Sequence, residues 1–290
     1  MRRILLIVAV MAVALVGGLA LNTLAQHLGW TTERLQPAEL SALLRPHDQI
    51  AKPPGDGPFP TALLFSGCDG VHDNMFRWSE MLVEHGWAAI VVDSHTPRGF
   101  DNMDLWRLVC VGQILPGGER AGDVLVSLAD ARKMDFVDPD RLALIGMSHG
   151  GWAIMDTASL DMPQQRPLNL AQLPATPPED RLEGVRAMVL VYPWCGLLNG
   201  ARLGSWRDDA PVLFILATDD TIAPSGECEM VARDIAETGR TVETIRFDDV
   251  THGFDQQDHG ALSTLAFDPE ATEAALDRAA AFLGKAFAPD

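Results

Sequence analysis

Short apolar runs alternate along this chain with segments in which apolar residues recur at helical spacing. Thr61–Phe65, Ala88–Val92, Arg141–Met147, Val185–Tyr192, Val212–Thr218 and Thr241–Phe247 are rich in Val, Ile, Leu and Ala. Such runs predict strands buried on both faces of a mostly parallel sheet. Between them, Met75, Trp78, Met81 and Leu82 share one face of a helix that starts at Asp73 as N-cap and is closed by Gly86. Val124, Leu125 and Leu128 mark a second helix within Glu119–Lys133. Cys228–Thr238, closed by Gly239, and a final helix begun by Asp268-Pro269 complete the series. In that last helix Glu270 and Glu273 occupy the first turn and Lys285 the end, the arrangement the helix dipole favours.

Three segments break this rhythm. Ile4 to Leu21 carries no charge and no proline, follows Arg2 and Arg3, and precedes the first acidic residue, Glu33. This is an export segment, either a signal peptide cleaved near Thr23-Leu24-Ala25 or an uncleaved membrane anchor. In both cases Arg2 and Arg3 stay cytoplasmic and the rest crosses the membrane, which predicts a periplasmic protein. Residues 26–60, with Pro37, Pro46, Pro53, Pro54, Pro58 and Pro60, read as a tether and entry loop with one short helix at Pro37–Leu44. Residues 161–184, with five prolines between Pro163 and Pro178, read as an excursion over one end of the sheet, a surface loop or a lid. The domain layout is thus 1–25 signal or anchor, 26–60 tether, and 61–290 catalytic domain.

Composition narrows the function classes. With 290 residues, 47% hydrophobic and 21% charged, the chain supports one sizeable core. Its net charge of −18, from 40 acidic and 22 basic residues, repels phosphate backbones and makes nucleic acid an unfavourable partner. The acidic surface serves solubility.

The chemistry concentrates where Leu142–Ile145 runs into Gly146-Met147-Ser148-His149-Gly150, a G-x-S-x-G turn between strand and helix. That setting lifts a serine hydroxyl off a sheet edge, beside a base and backbone donors. An α/β-hydrolase sheet then requires a carboxylate and a histidine in the order Ser, Asp, His. Asp220 fits the carboxylate role better than Asp219 because its distance to Pro224 matches a D-x-x-x-P turn. Among eight histidines, His252, in Thr251-His252-Gly253-Phe254, follows the last strand and is the expected base. Oxyanion donors are expected from the backbone N–H groups of His149 and Cys68. A Cys68 nucleophile lacks the strand–turn–helix setting. A metal site from Asp248, Asp249, His252, Asp255 and His259 lacks H-E-x-x-H or paired-cysteine spacing, so no metal is expected.

Together these motifs resemble the dienelactone hydrolase family of α/β-hydrolases. The resemblance rests on Phe65–Gly70, Val92–Gly99, Val137–Arg141, Gly146–Gly151, Tyr192–Cys195, Asp220–Pro224 and His252–Phe254, and spans roughly residues 55–285. It implies the α/β-hydrolase fold, no cofactor, and a Ser148, Asp220, His252 triad cleaving a small-molecule ester or lactone. Two departures stand out: Ser148 occupies the place of the cysteine of the founding lactone hydrolases, and Ser66 that of a histidine often found before Gly67. Pro193-Trp194 and Asp220–Pro224 are also similar to bacterial cutinases and polyesterases, which makes Trp194 a candidate substrate contact or, equally, a rim aromatic. Four cysteines allow three pairings, or none in a reducing compartment; the resemblance favours Cys68 with Cys110 and Cys195 with Cys228. A peptidase on the same scaffold, expected to need a propeller or cap domain for which this chain has no room, and an inactive membrane-anchored binding protein are the competing classes.

Overall fold

The computed structural model describes residues 1–290 except 162–164, 175–180, 204–205, 260–262 and 289–290. Seven strands form one sheet: β1 (Gln49–Ala51), β2 (Phe59–Phe65), β3 (Ala88–Val92), β4 (Val137–Met147), β5 (Val185–Val191), β6 (Val212–Ala217) and β7 (Val242–Phe247). Their spatial order is β1-β3-β2-β4-β5-β6-β7, all neighbours parallel except the antiparallel β1–β3 edge pair. The register places Leu64, Ile145, Val189 and Leu213 in successive partnership across the central strands.

Nine helices are described: α1 (Arg2–His27), α2 (Pro37–Leu44), α3 (Asp73–Glu84), α4 (Asn102–Asp104), α5 (Gly117–Ala131), α6 (His149–Ser159), α7 (Gly200–Leu203), α8 (Ser225–Glu237) and α9 (Pro269–Ala286). Because side chains alternate across a strand, Leu63, Leu144, Leu190 and Phe214 join one core with residues of α5, α6 and α8. Their neighbours Leu64, Ile145, Val189 and Ile215 join a second core with α3 and α9 on the other face. Burial on both faces explains the continuous apolar strand runs. The fold is the expected α/β-hydrolase arrangement.

Two details differ from the expectations. His72, not Asp73, is the N-cap of α3; the Asp73 carboxylate instead accepts from the backbone of Gln257 and Asp258 and pairs with Arg77. Residues 26–60 are more than a tether. Leu40 and Leu44 of α2 are buried against Val126 and Leu170, and β1 extends the sheet. Parts of the expected excursion, 162–164 and 175–180, lie outside the described residues; nearby, Leu35 and Leu170 form a parallel bridge.

Helix α1 is apolar along its length, with a mean hydropathy of 3.0 over its best window and no buried residue in that window. It is long and apolar enough to cross a membrane. Its last turns touch the rest of the protein: Asn22 Nδ2 donates to the Gln113 carbonyl at 2.7 Å, and Gln113 Nε2 donates to Thr23 Oγ1 at 2.7 Å.

Candidate active site

Strand β4 ends at Met147 and α6 begins at His149, leaving Ser148 alone at the turn with φ 50° and ψ −111°. A non-glycine residue in that region is strained, and the surrounding packing must hold it. The flanking glycines make this packing feasible. A Cβ at Gly150 would lie 2.1 Å from the Phe65 carbonyl oxygen, and one at Gly146 would lie 2.6 Å from the Gly150 carbonyl carbon. Strand β2, strand β4 and helix α6 therefore approach each other at distances no side chain tolerates.

The sheet's carboxyl end brings three distant residues together. His252 Nε2 lies 2.8 Å from Ser148 Oγ, and His252 Nδ1 lies 2.6 Å from Asp220 Oδ2. The other oxygen of Asp220 accepts from the backbone N–H groups of Ile222 at 2.9 Å and Ala223 at 2.7 Å. The turn after β6 thus fixes the carboxylate, and Pro224 then opens α8. Asp219 is exposed, and its backbone N–H donates to the Val250 carbonyl at 3.0 Å. Of the two adjacent acids, the fold turns only Asp220 toward the imidazole.

The expected oxyanion donors flank Ser148. His149 opens α6, where first-turn N–H groups lack intrahelical partners, and Gly67, the residue before Cys68, lies beside the Ser148 Cβ. Cys68 is bonded to Cys110, and Cys195 to Cys228, the pairs the resemblance favours. Cys68 Sγ therefore carries no free thiol.

Two arms of a cleft meet at Ser148. One, about 230 Å³, is lined by Trp106, Val111, Tyr192, Ile222, His252 and Leu265. The other, about 330 Å³, is lined by Thr23, Val111, Trp152, Trp194, Leu197 and Ile222. Trp194 therefore stands on a cleft wall, and its indole N–H donates to the Leu197 carbonyl at 3.2 Å.

Residues to which no catalytic role was assigned pack around this centre. Tyr192, at φ 36°, packs its ring 4.8 Å from the His252 ring. Its hydroxyl donates to Asp255 Oδ1 at 2.5 Å, while Trp78 Nε1 donates to Asp255 Oδ2 at 2.8 Å. Burial, then the neighbouring Asp255 charge, raises the Tyr192 phenol well above its ordinary value, so it stays protonated and donating. These bonds turn Asp255 toward α3 and Tyr192, and among the described residues no metal-binding cluster forms around it.

Behind the turn, Arg120 is fully buried. Its Nη1 donates to the Ser66 carbonyl at 3.0 Å and lies 2.8 Å from His149 Nδ1. Burial and the adjacent guanidinium lower the His149 imidazole well below its ordinary range, so it is neutral and Nδ1 accepts. Burial also pulls Arg120 down to about 10, which still leaves it charged near neutral pH. Arg98 closes the cluster with two bonds to Asp123, at 2.9 and 3.0 Å. The Tyr in Tyr192-Pro193-Trp194-Cys195 was visible as the chain's one tyrosine; nothing in the pattern around Arg120 marks it out from any helical arginine.

The fold is that of the α/β-hydrolases. The comparisons add a partial family likeness: residues 179–287 match the model of the dienelactone hydrolase family. A crystal structure from Klebsiella pneumoniae assigned as a dienelactone hydrolase shares the fold with a TM-score of 0.61 at 19% identity, over 82% of this chain and 92% of that one. Esterase 2 of Thermogutta terrifontis, phosphonylated by cyclosarin, superposes with a TM-score of 0.63 at 18% identity, over 84% and 90%. The chain is also 30% identical over 80 residues to dipeptidyl-peptidase 5 of Porphyromonas gingivalis, and that match spans 27% of this chain and 11% of the peptidase.

Proposed function

We propose that the protein is a serine hydrolase of carboxylic esters or lactones that works through an acyl-enzyme intermediate. The observation that carries this reading is the continuous chain from Asp220 Oδ2 through His252 to Ser148 Oγ, at 2.6 and 2.8 Å, on the floor of an apolar cleft. His252 Nε2 takes the Ser148 proton as Oγ attacks the substrate carbonyl carbon. Asp220 holds the imidazole with Nδ1 protonated and stabilises the imidazolium that forms. The tetrahedral oxyanion accepts hydrogen bonds from the backbone N–H groups of His149 and Cys68. Collapse expels the alcohol, which receives the proton from His252. Water then attacks the acyl-Ser148 ester by the same path, releasing the acid and restoring the serine.

No cofactor has a role in these steps, and Trp194 acts as a wall for the acyl or alcohol group. The phosphonylation of the esterase neighbour by cyclosarin supports this chemistry, and the family match supports an ester or lactone over a peptide bond. Both disulfides and the apolar amino-terminal helix support export to the periplasm. The test is hydrolysis of p-nitrophenyl esters of graded chain length by the full chain, which should show turnover abolished in Ser148→Ala. Peptide cleavage without ester cleavage would reverse the reading.

A further inference from the structure

Helix α1 ends at the mouth of the cleft. A bilayer core of about 30 Å takes up about 20 helical residues, so a span starting at Ile4 emerges near Thr23. There Asn22 and Thr23 are hydrogen-bonded to Gln113, and Thr23 lines the cleft arm that leads to Ser148. The rim beside it is apolar and exposed: Trp106 at 45%, Val111 at 57%, Leu197 at 71% and Ile222 at 38%. Two further apolar side chains are exposed: Met103 at 51%, three positions before Trp106, and Leu203 at 63%, which lines a separate cavity with His27 of α1. Aromatic and aliphatic side chains at this depth suit the membrane–water boundary. The net charge of −18 argues against attraction to anionic headgroups.

From this we infer that α1 is retained and holds the cleft mouth against the bilayer surface, and that the site takes long-chain esters residing in the membrane. This rests on the ester-hydrolase reading for the substrate, but not for the docking. The apolar rim dips into the headgroup region, and a substrate's acyl chain passes from the lipid into the arm lined by Val111, Leu197 and Trp194 without crossing water. Docking is apolar, so zwitterionic phosphatidylcholine suffices and salt has little effect.

The full chain reconstituted in phosphatidylcholine vesicles tests this with two esters, soluble p-nitrophenyl acetate and bilayer-borne p-nitrophenyl palmitate. Met103→Asp combined with Leu203→Asp changes exposed positions outside the cleft lining. It should leave acetate turnover unchanged and lower palmitate turnover about tenfold or more. Unchanged palmitate turnover would overturn the proposal, as would equal loss for both esters. A second readout is independent of activity. In a Trp30→Phe background, lipids brominated near the headgroup should quench fluorescence that Trp106→Phe then removes. No quenching of Trp106, or a cross-linked dimer covering that face instead, would sink the docking. Absence of turnover on either ester, with quenching present, would remove the ester reading and leave the docking intact.

Discussion

His252 and His149 both neighbour Ser148 and have opposite surroundings. His252 faces the cleft, with a carboxylate 2.6 Å from one ring nitrogen and a hydroxyl 2.8 Å from the other. His149 faces inward against a buried guanidinium 2.8 Å from Nδ1, and its ring packs edge-on to Trp152 with centroids 5.2 Å apart. Burial and the cation beside it disfavour the protonated form of His149. On the proposed reading the same side chain exchanges a proton at His252 and holds shape at His149. Arg120 links the two halves, because it ties the Ser66 carbonyl before the Gly67-Cys68 loop to the side chain of His149. We read it as a positioning residue for the two expected oxyanion donors.

The largest effect should come from removing the nucleophile. Ser148→Ala should lower kcat/KM by on the order of 10⁴-fold or more, with an unchanged thermal melt. Next comes the partner of His252: Asp220→Asn should lower kcat by roughly 10²- to 10⁴-fold because it favours the wrong tautomer. Asp219→Asn, at an exposed carboxylate, should stay within about threefold of wild type; collapse of the Asp219 variant alone would reverse the assignment. On the inward side, Arg120→Met should lower kcat by about tenfold to a hundredfold with little change in KM, since it loosens donors used mainly in the transition state. A changed KM with constant kcat would contradict that role.

The smallest effect concerns stability. Burial raises the Asp156 carboxyl from 3.8 to about 8, with the Gly200 N–H opposing it. The folded protein thus keeps a proton that the unfolded chain loses above about pH 4, so stability falls as pH rises between those values. Asp156→Asn should flatten that slope, seen as a smaller difference in Tm between pH 5 and pH 8 than in wild type; an unchanged difference would refute it.

Much of this molecule could be read from its sequence. Strand β3 coincides with the apolar run Ala88–Val92, and α9 begins at the expected Asp268 cap, which accepts from the Ala271 N–H at 2.9 Å. Both signals are local, one a burial pattern and the other a capping bond. Strand β1 carries no sequence signal because Gln49-Ile50-Ala51 is too short for alternation to show and lies between prolines. The π-turn at Leu105–Val109 likewise has no periodic signature. In the site, flanking glycines and strand ends marked Ser148, Asp220 and His252. Tyr192, Asp255 and Arg120 depend on contacts made across 63 to 29 positions of chain, Tyr192–Asp255 and Arg120–His149 respectively, which no spacing encodes.

The central claim is that Ser148, activated by His252, is the nucleophile. A fluorophosphonate probe reacted with the full chain, followed by peptide mass mapping, tests it most directly. The account predicts a single adduct on Ser148 that is absent in Ser148→Ala and slowed in Asp220→Asn. An adduct on any other residue, or none on a chain that still cleaves esters, would contradict it.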